Sequence, residues 1–197
     1  KVERPDFGDE LRVYPPPFGG WGFALLNRGK KSLSINLKDG SAKSVLTPLI
    51  EEADVLLEQF RPGVMARLGL GYETAREINP ALVYCSVTGY GQSGPRAAEV
   101  GHDLNYQAVS GLLSLGGDSE GKPTIAPGLI ADIGGGTLPA VVNILLALRQ
   151  AEQTGEGCHL DVSMTDNLLA WSWWAQAALA GGLEPEAAGR GVLTGGS

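Results

Sequence analysis

The chain has 197 residues, 43% of them hydrophobic and 19% charged, with a mean hydropathy of +0.01, an ordinary globular composition with ample material for a core. A net charge of −7 and an isoelectric point near 4.8 argue against a nucleic-acid binder. No apolar run approaches about 18 residues, so no membrane span is expected. Two distant cysteines in strand-like runs, Cys85 and Cys158, read as reduced core residues of a cytoplasmic protein.

Lys1 to Pro5 reads as the end of a strand, followed by a Pro/Gly-rich loop that includes Pro15-Pro16-Pro17. Ser32 to Leu37 alternates polar and apolar residues, which predicts a half-buried strand. Ser41 can cap a helix carrying Val45, Leu46, Leu49 and Ile50, with Pro48 expected to kink it or delay its start. Asp54 to Phe60 is a short apolar strand, and short helices follow over Val64–Leu68 and Tyr72–Ile78. Leu82 to Val87 is the most strand-like run of the chain and leads into the loop Thr88 to Pro95. Strands separated by helices imply βαβ units and a parallel sheet, whose ligands bind at the carboxyl ends of the strands. Three of the four strand ends carry a basic residue, so an anionic ligand is expected across them.

Gly101-His102-Asp103-Leu104-Asn105-Tyr106 precedes an apolar segment and a polar loop, Gly116 to Pro127. Ala131-Asp132 then runs into Gly134-Gly135-Gly136 and a helix over Thr137–Gln153, apolar around most of its circumference and so expected to be deeply buried. His159 to Met164 alternates as a last strand, with His159 read as structural. Thr165 caps a helix containing Trp171, Trp173 and Trp174, which reads as core or subunit interface. The chain starts inside a strand pattern, and Thr194–Ser197 carries no closing element. A longer protein is therefore expected, with residues 1–197 forming one large α/β domain incomplete at both ends.

A lone histidine is most often structural or merely exposed. Around His102, however, Gly101 gives access, Asp103 can orient the ring or hold a ligand amide, and Asn105 and Tyr106 can supply hydrogen bonds. An imidazole can both take and give a proton near neutral pH. Asp132 would serve as an ordinary helix N-cap, but that does not account for Gly134-Gly135-Gly136, since glycine in a first turn costs roughly 1 kcal/mol against alanine. Bare backbone pressed by a ligand would account for it. A carboxylate at a helix N-terminus is expected to stay ionised, available as base or nucleophile. Arg4, Arg28, Lys30, Lys31, Arg61 and Arg67 read either as solvated charge or as phosphate contacts. No Cys/His spacing suits a metal, and there is no Walker sequence or nucleophile elbow.

The stretches Val2–Pro5, Asn27–Ser32, Asp54–Val64, Asn79-Pro80, Thr88–Pro95, Ala131-Asp132 with its glycines, and Thr154–Met164 together resemble the family III CoA-transferases. That group includes carnitine and bile-acid CoA-transferases and α-methylacyl-CoA racemases. The resemblance implies an α/β fold, a Rossmann-like parallel sheet flanked by helices, forming the large coenzyme A-binding domain. It also implies that a second, small domain and a glutamate partner of the histidine lie beyond Ser197, and that the full-length protein is an interlocked homodimer.

Gly101–Tyr106 looks like the racemase branch. There, a histidine and an aspartate flank the α-carbon of a 2-methylacyl thioester; one removes the α-proton, an enolate forms, and the other returns a proton to the opposite face. His102 and Asp132 fall on those positions. In the transferases, the position of Asp132 carries a covalent acyl anhydride, and a histidine matching His102 is not generally expected. A truncated coenzyme A-binding module without turnover is a third reading. The resemblance implies an acyl-CoA substrate with no tightly bound cofactor and no metal. Arg4, Arg61, Arg67, Tyr90, Gly91 and Asp103 are the expected coenzyme contacts, and Asn105, Tyr106, Gly134 and Gly135 the expected surroundings of the acyl group. Neither nucleic acid nor a membrane is implied as a partner.

Overall fold

The computed structural model describes residues 1–16, 18–118, 120–186, 188, 190 and 191. Of the sequence expectations, Pro17, Ser119 and the Thr194–Ser197 stretch lie outside the described residues. The sequence reads as one domain over 1–197; the structure divides into two compact units, Lys1–Glu51 and Glu52–Ser197. Parallel sheets flanked by helices make the fold α/β.

In the first unit, β1 (Val2–Glu3) pairs in parallel with β2 (Leu33–Ser34), accompanied by helices α1 (Trp21–Leu26) and α2 (Ala42–Glu51). The strand expected over Ser32–Leu37 shrinks to two residues because Asn36 starts a turn, its side chain accepting the Lys38 N–H at 3.1 Å and its carbonyl the Asp39 N–H at 2.9 Å. Helix α2 runs through Pro48, with Ala42, Leu46 and Ile50 buried one turn apart. Glu3 is the buried polar centre of the unit. Its carboxylate accepts from Arg12 Nε at 3.0 Å and Nη2 at 3.1 Å, from the Ser32 hydroxyl at 2.7 Å and from the Asp9 N–H at 2.9 Å. These donors, Arg12 and then Ser32 foremost, hold the Glu3 carboxyl down at about 2 against an ordinary 4.5.

In the second unit, β3 (Val55–Glu58), β4 (Val83–Thr88) and β5 (His159–Ser163) form a parallel sheet in that order, with Leu57 opposite Cys85 and Cys85 opposite Leu160. The four strand ends read from the sequence therefore belong to two sheets, two ends in each. Strand β4 is buried along almost its whole length, as its position between two neighbours requires. On one face, Cys85, Val87, Leu160 and Val162 pack against Ala140 and Ile144 of the long helix α6 (Leu138–Thr154). On the other, Tyr84 reaches past α3 (Val64–Arg67) and α4 (Tyr72–Ile78), its hydroxyl donating to the Leu70 carbonyl at 3.1 Å. Ser86 and His159 also meet there, Oγ to Nε2, at 3.0 Å, and the Tyr72 ring stacks on His159. His159 thus has a structural place on the sheet.

Three expectations about the region after Leu129 change. Ile130–Thr137 is wound as a π-helix that leads directly into α6, rather than as the first turn of an ordinary helix. Helix α6 is not deeply buried: it hides Ala140, Ala147 and Ala151 but leaves Leu145 and Leu146 more than half exposed. By length and composition alone, Ile130–Thr154 is long and apolar enough to cross a membrane, against the expectation that no such run exists, although one side of it packs on the sheet.

Candidate active site

Beyond β4, the chain turns through Gly89-Tyr90-Gly91 and reaches α5 (Asp103–Val109) with His102 as its N-cap. Thr165 holds the turn, its backbone N–H and its hydroxyl both donating to the Gly89 carbonyl, at 3.0 and 2.7 Å. At Gly91 φ is +82°, the left-handed region that glycine enters freely, and this lets the Gln92 N–H drop onto the Asp161 carboxylate at 2.9 Å. The backbone N–H of His102 donates to Asn105 Oδ1 at 2.9 Å, so Asn105 fixes the entry into α5.

A cavity of about 830 Å³ opens at the carboxyl ends of β3 and β4. His102 and Asp132 both line it, together with Gln59, Phe60, Arg61, Thr88, Gly89, Tyr90 and Tyr106. His102 is exposed and Asp132 half-buried. The position follows the rule for open parallel sheets, in which binding crevices lie at the carboxyl ends of the strands. Thr88 contributes a buried hydroxyl with no hydrogen-bond partner among the described residues.

Burial and neighbouring charge act together on Asp132. Burial pushes its carboxyl above the ordinary value of 3.8, the nearby Asp103 charge pushes it further, and His102 pulls it back only in part. Partial desolvation and a like charge thus raise the carboxyl in spite of the helix terminus. Tyr106 is raised as well, by burial first and then by Tyr90 and Asp132.

The other residues singled out in the sequence are distributed as follows. Arg61, Tyr90 and Tyr106 line the cavity. Arg67 is exposed on α3, and Arg4 lies in the first unit, where it pairs with Glu10 at 2.8 Å and covers the Phe7 ring. Asp103, expected to hold a ligand amide, is instead buried with its carboxylate turned into the protein. It accepts from the N–H groups of Ala131 (2.7 Å) and Asp132 (3.0 Å) and from the Gln107 amide (2.5 Å).

Gly134 and Gly135 have a packing reason of their own. A Cβ on Gly134 would meet the Trp171 ring at 2.5 Å, and one on Gly135 the Met164 carbonyl oxygen at 2.3 Å, so bare backbone is what lets the π-helix touch α7 (Met164–Leu168) and the turn after it. Gly101 has the same kind of reason, since a Cβ there would strike the Tyr106 ring at 2.7 Å. Sequence reasoning passed over Gln107, whose i, i+4 spacing from Asp103 was the available signal, and Thr165, read only as a helix cap. Among the described residues, no group of three or more His, Cys, Asp or Glu is placed to hold a metal ion.

The sequence profile of CoA-transferase family III matches residues 1–195. Over 174 residues, 87% of this chain and 44% of the other protein, the chain is 43% identical to acetyl-CoA:oxalate CoA-transferase of Acetobacter aceti. Over 195 residues, 98% of this chain and 50% of the other, it is 41% identical to α-methylacyl-CoA racemase of Mus musculus. A CAIB/BAIF family protein from Brucella suis superposes with a TM-score of 0.87 at 34% identity, covering 96% of this chain and 52% of that one. The chain thus spans about half the length of the relatives it matches. A profile match over nearly every residue, together with a parallel α/β fold shared with a solved relative, assigns the chain to CoA-transferase family III.

Proposed function

We propose that this chain carries the acyl-CoA site of an enzyme that interconverts 2-methylacyl-CoA stereoisomers. The observation that carries the reading is that His102 and Asp132 line one cavity, so a single bound α-carbon can be within reach of both. One group takes the α-proton, the electron pair moves onto the thioester oxygen as an enolate, and the other group returns a proton to the opposite face. For this traffic one partner must begin protonated and the other not. His102 and Asp132 are the proposed pair, and their donor and acceptor roles exchange between the two stereoisomers. Arg61, on the cavity wall, is the proposed contact for the coenzyme A phosphates, with Arg67 of the same unit as a further candidate. The acyl-CoA is substrate, no metal or tightly bound cofactor is invoked, and a cytoplasmic, membrane-free homodimer is the proposed setting of the full-length protein.

A second reading has its own support: a relative at 43% identity is a CoA-transferase. There Asp132 would attack as a carboxylate and form a mixed anhydride, releasing the coenzyme A thiolate. His102 on the same cavity favours the proton-transfer reading, because the anhydride route gives it no part. Incubating the chain with (R)-2-methylacyl-CoA in deuterated water decides between them. Deuterium at the α-carbon with loss of optical purity is expected; coenzyme A transfer to a free carboxylate without exchange would replace the first reading by the second. Binding of coenzyme A with neither reaction would leave a binding module.

A further inference from the structure

Asp103 joins the two segments that carry His102 and Asp132. It directly follows His102 in the chain, at the first position of α5, yet its side chain is only 8% exposed. A buried carboxylate is costly unless its lone pairs are satisfied. Among the described residues, none of the lysines or arginines in ion pairs is paired with it. Its partners are instead three N–H donors. Oδ2 accepts from the Gln107 amide at 2.5 Å, one helical turn along α5, and this sets the carboxylate plane. Oδ1 accepts from two peptide N–H groups 28 and 29 residues away, Ala131 at 2.7 Å and Asp132 at 3.0 Å.

Those two N–H groups stand in the first turn of the π-wound segment, where backbone donors have no partner inside the helix. Such a segment, with three successive glycines, has little local preference of its own. What fixes its start must come from elsewhere, and hydrogen bonds to an ionised acceptor are among the stronger ones.

We propose that Asp103 is a positioning residue: its buried carboxylate pins the Ala131–Asp132 backbone to the start of α5 and so keeps Asp132 and His102 on the same cavity. The role rests on the proton-transfer reading for its purpose but not for its geometry. The same contact has an electrostatic consequence, since the Asp103 charge stands next to Asp132 and favours its protonated form. The other titratable groups around Asp132 are few. His102 and Tyr106 face it from α5, Asp166 of α7 is exposed, and the first turn of α6 has none.

Two variants separate clamp from charge. Asp103→Ala removes both. Asp103→Asn keeps an oxygen that can accept the two backbone N–H groups, and Gln107 can turn its amide to accept from the new one. Amide hydrogen exchange followed by NMR on the chain reads the clamp without turnover. In Asp103→Ala, the Ala131 and Asp132 amides should exchange at least about tenfold faster, the lower end of what a hydrogen bond to a charged acceptor is worth, while the amides of β4 stay protected. In Asp103→Asn they should stay close to wild type. The ¹³Cγ titration midpoint of Asp132 should nevertheless fall, and α-deuteration should lose kcat with little change in KM.

Unchanged exchange at Ala131 and Asp132 in a folded Asp103→Ala protein would overturn the proposal. If that variant does not fold, Ala131 and Asp132 amides that exchange in the wild-type chain as fast as unbonded ones would do so instead. Faster exchange in a chain that never deuterates an acyl-CoA would uphold the clamp and remove the racemase reading alone.

Discussion

A Cβ on Gly135 would stand 2.3 Å from the carbonyl oxygen of Met164. The π-wound segment and α7 therefore touch backbone to backbone, and Asn167 adds a side-chain hydrogen bond to the Gly135 carbonyl at 2.8 Å. Asp132 lies three residues before this contact, so its place depends on packing that only glycine allows. Gly135→Ala forces two backbones apart and should destabilise by about 1–3 kcal/mol, the usual cost of overpacking. Gly136→Ala is the control, because its added carbon meets the Met164 side chain at 3.0 Å, which can swing aside. Thermal unfolding of the two variants should place Gly135→Ala clearly below Gly136→Ala, and equal melting temperatures would contradict the close contact.

His102 separates the two chemistries that Asp132 could serve. General acid–base groups contribute about 10²–10⁴-fold. His102→Ala should therefore lower α-deuteration of a 2-methylacyl-CoA by that factor. Its effect on coenzyme A transfer, measured on the same preparation, should be small if the protein transfers at all. A variant that exchanges the α-proton at the wild-type rate removes His102 from the mechanism.

The raised pKa of Asp132 has a consequence for stability. A carboxyl that binds its proton more tightly in the folded chain than in the unfolded one favours folding at acid pH. That contribution falls away as pH rises from the ordinary value of 3.8 through the folded-state value. At neutral pH the ionised, partly buried Asp132 works against the fold. Asp132→Asn should melt higher than wild type at about pH 7 and lose its advantage near pH 3, where both side chains are neutral. Wild type melting as high as the variant at neutral pH would mean that the carboxylate is fully solvated.

How much of this was legible in the sequence differs by element. Strand β4 could be read because Val83–Thr88 is rich in β-branched and aromatic residues, and the central strand of a parallel sheet needs them on both faces. Helix α4 could be read from its spacing and from Asn79-Pro80 at its end. His102 and Asp132 stood out because an ionisable group next to glycine is unusual. The π-winding of Ile130–Thr137 could not be read, since it arises from contacts with Met164 and Trp171, far along the chain, and glycines carry no periodic signal of their own. The glycines pointed to close approach, and Trp171 and Met164 make that approach. The role of Asp103 was hidden for the same reason: its donors at Ala131 and Asp132 are backbone groups, which no residue type announces. The circumference of α6 misled in the opposite sense, because an all-apolar helix is deeply buried only where other elements cover every side of it.

The first unit supplies a test that is independent of the cavity. Glu3 accepts four hydrogen bonds, two of them from Arg12, and its carboxyl sits at about 2 instead of 4.5. A group with a lowered folded-state pKa contributes stability that is fully present above its ordinary value and is lost as pH falls through the folded value. Acid should therefore loosen this unit between about pH 4.5 and pH 2, and Glu3→Gln should flatten the profile over that range. Gln keeps one acceptor oxygen for the Ser32 hydroxyl or the Asp9 N–H, but its NH₂ faces the Arg12 guanidinium and repels it. At neutral pH the variant should consequently be the less stable of the two proteins, with the difference shrinking as pH falls toward about 2, where folded wild-type Glu3 is half protonated. Proton exchange at the Leu33 and Ile35 amides, which donate to the Lys1 and Glu3 carbonyls at 2.9 and 2.8 Å, is the local reporter. If those amides are as well protected in Glu3→Gln as in wild type at neutral pH, Arg12 and Glu3 contribute nothing beyond their contact.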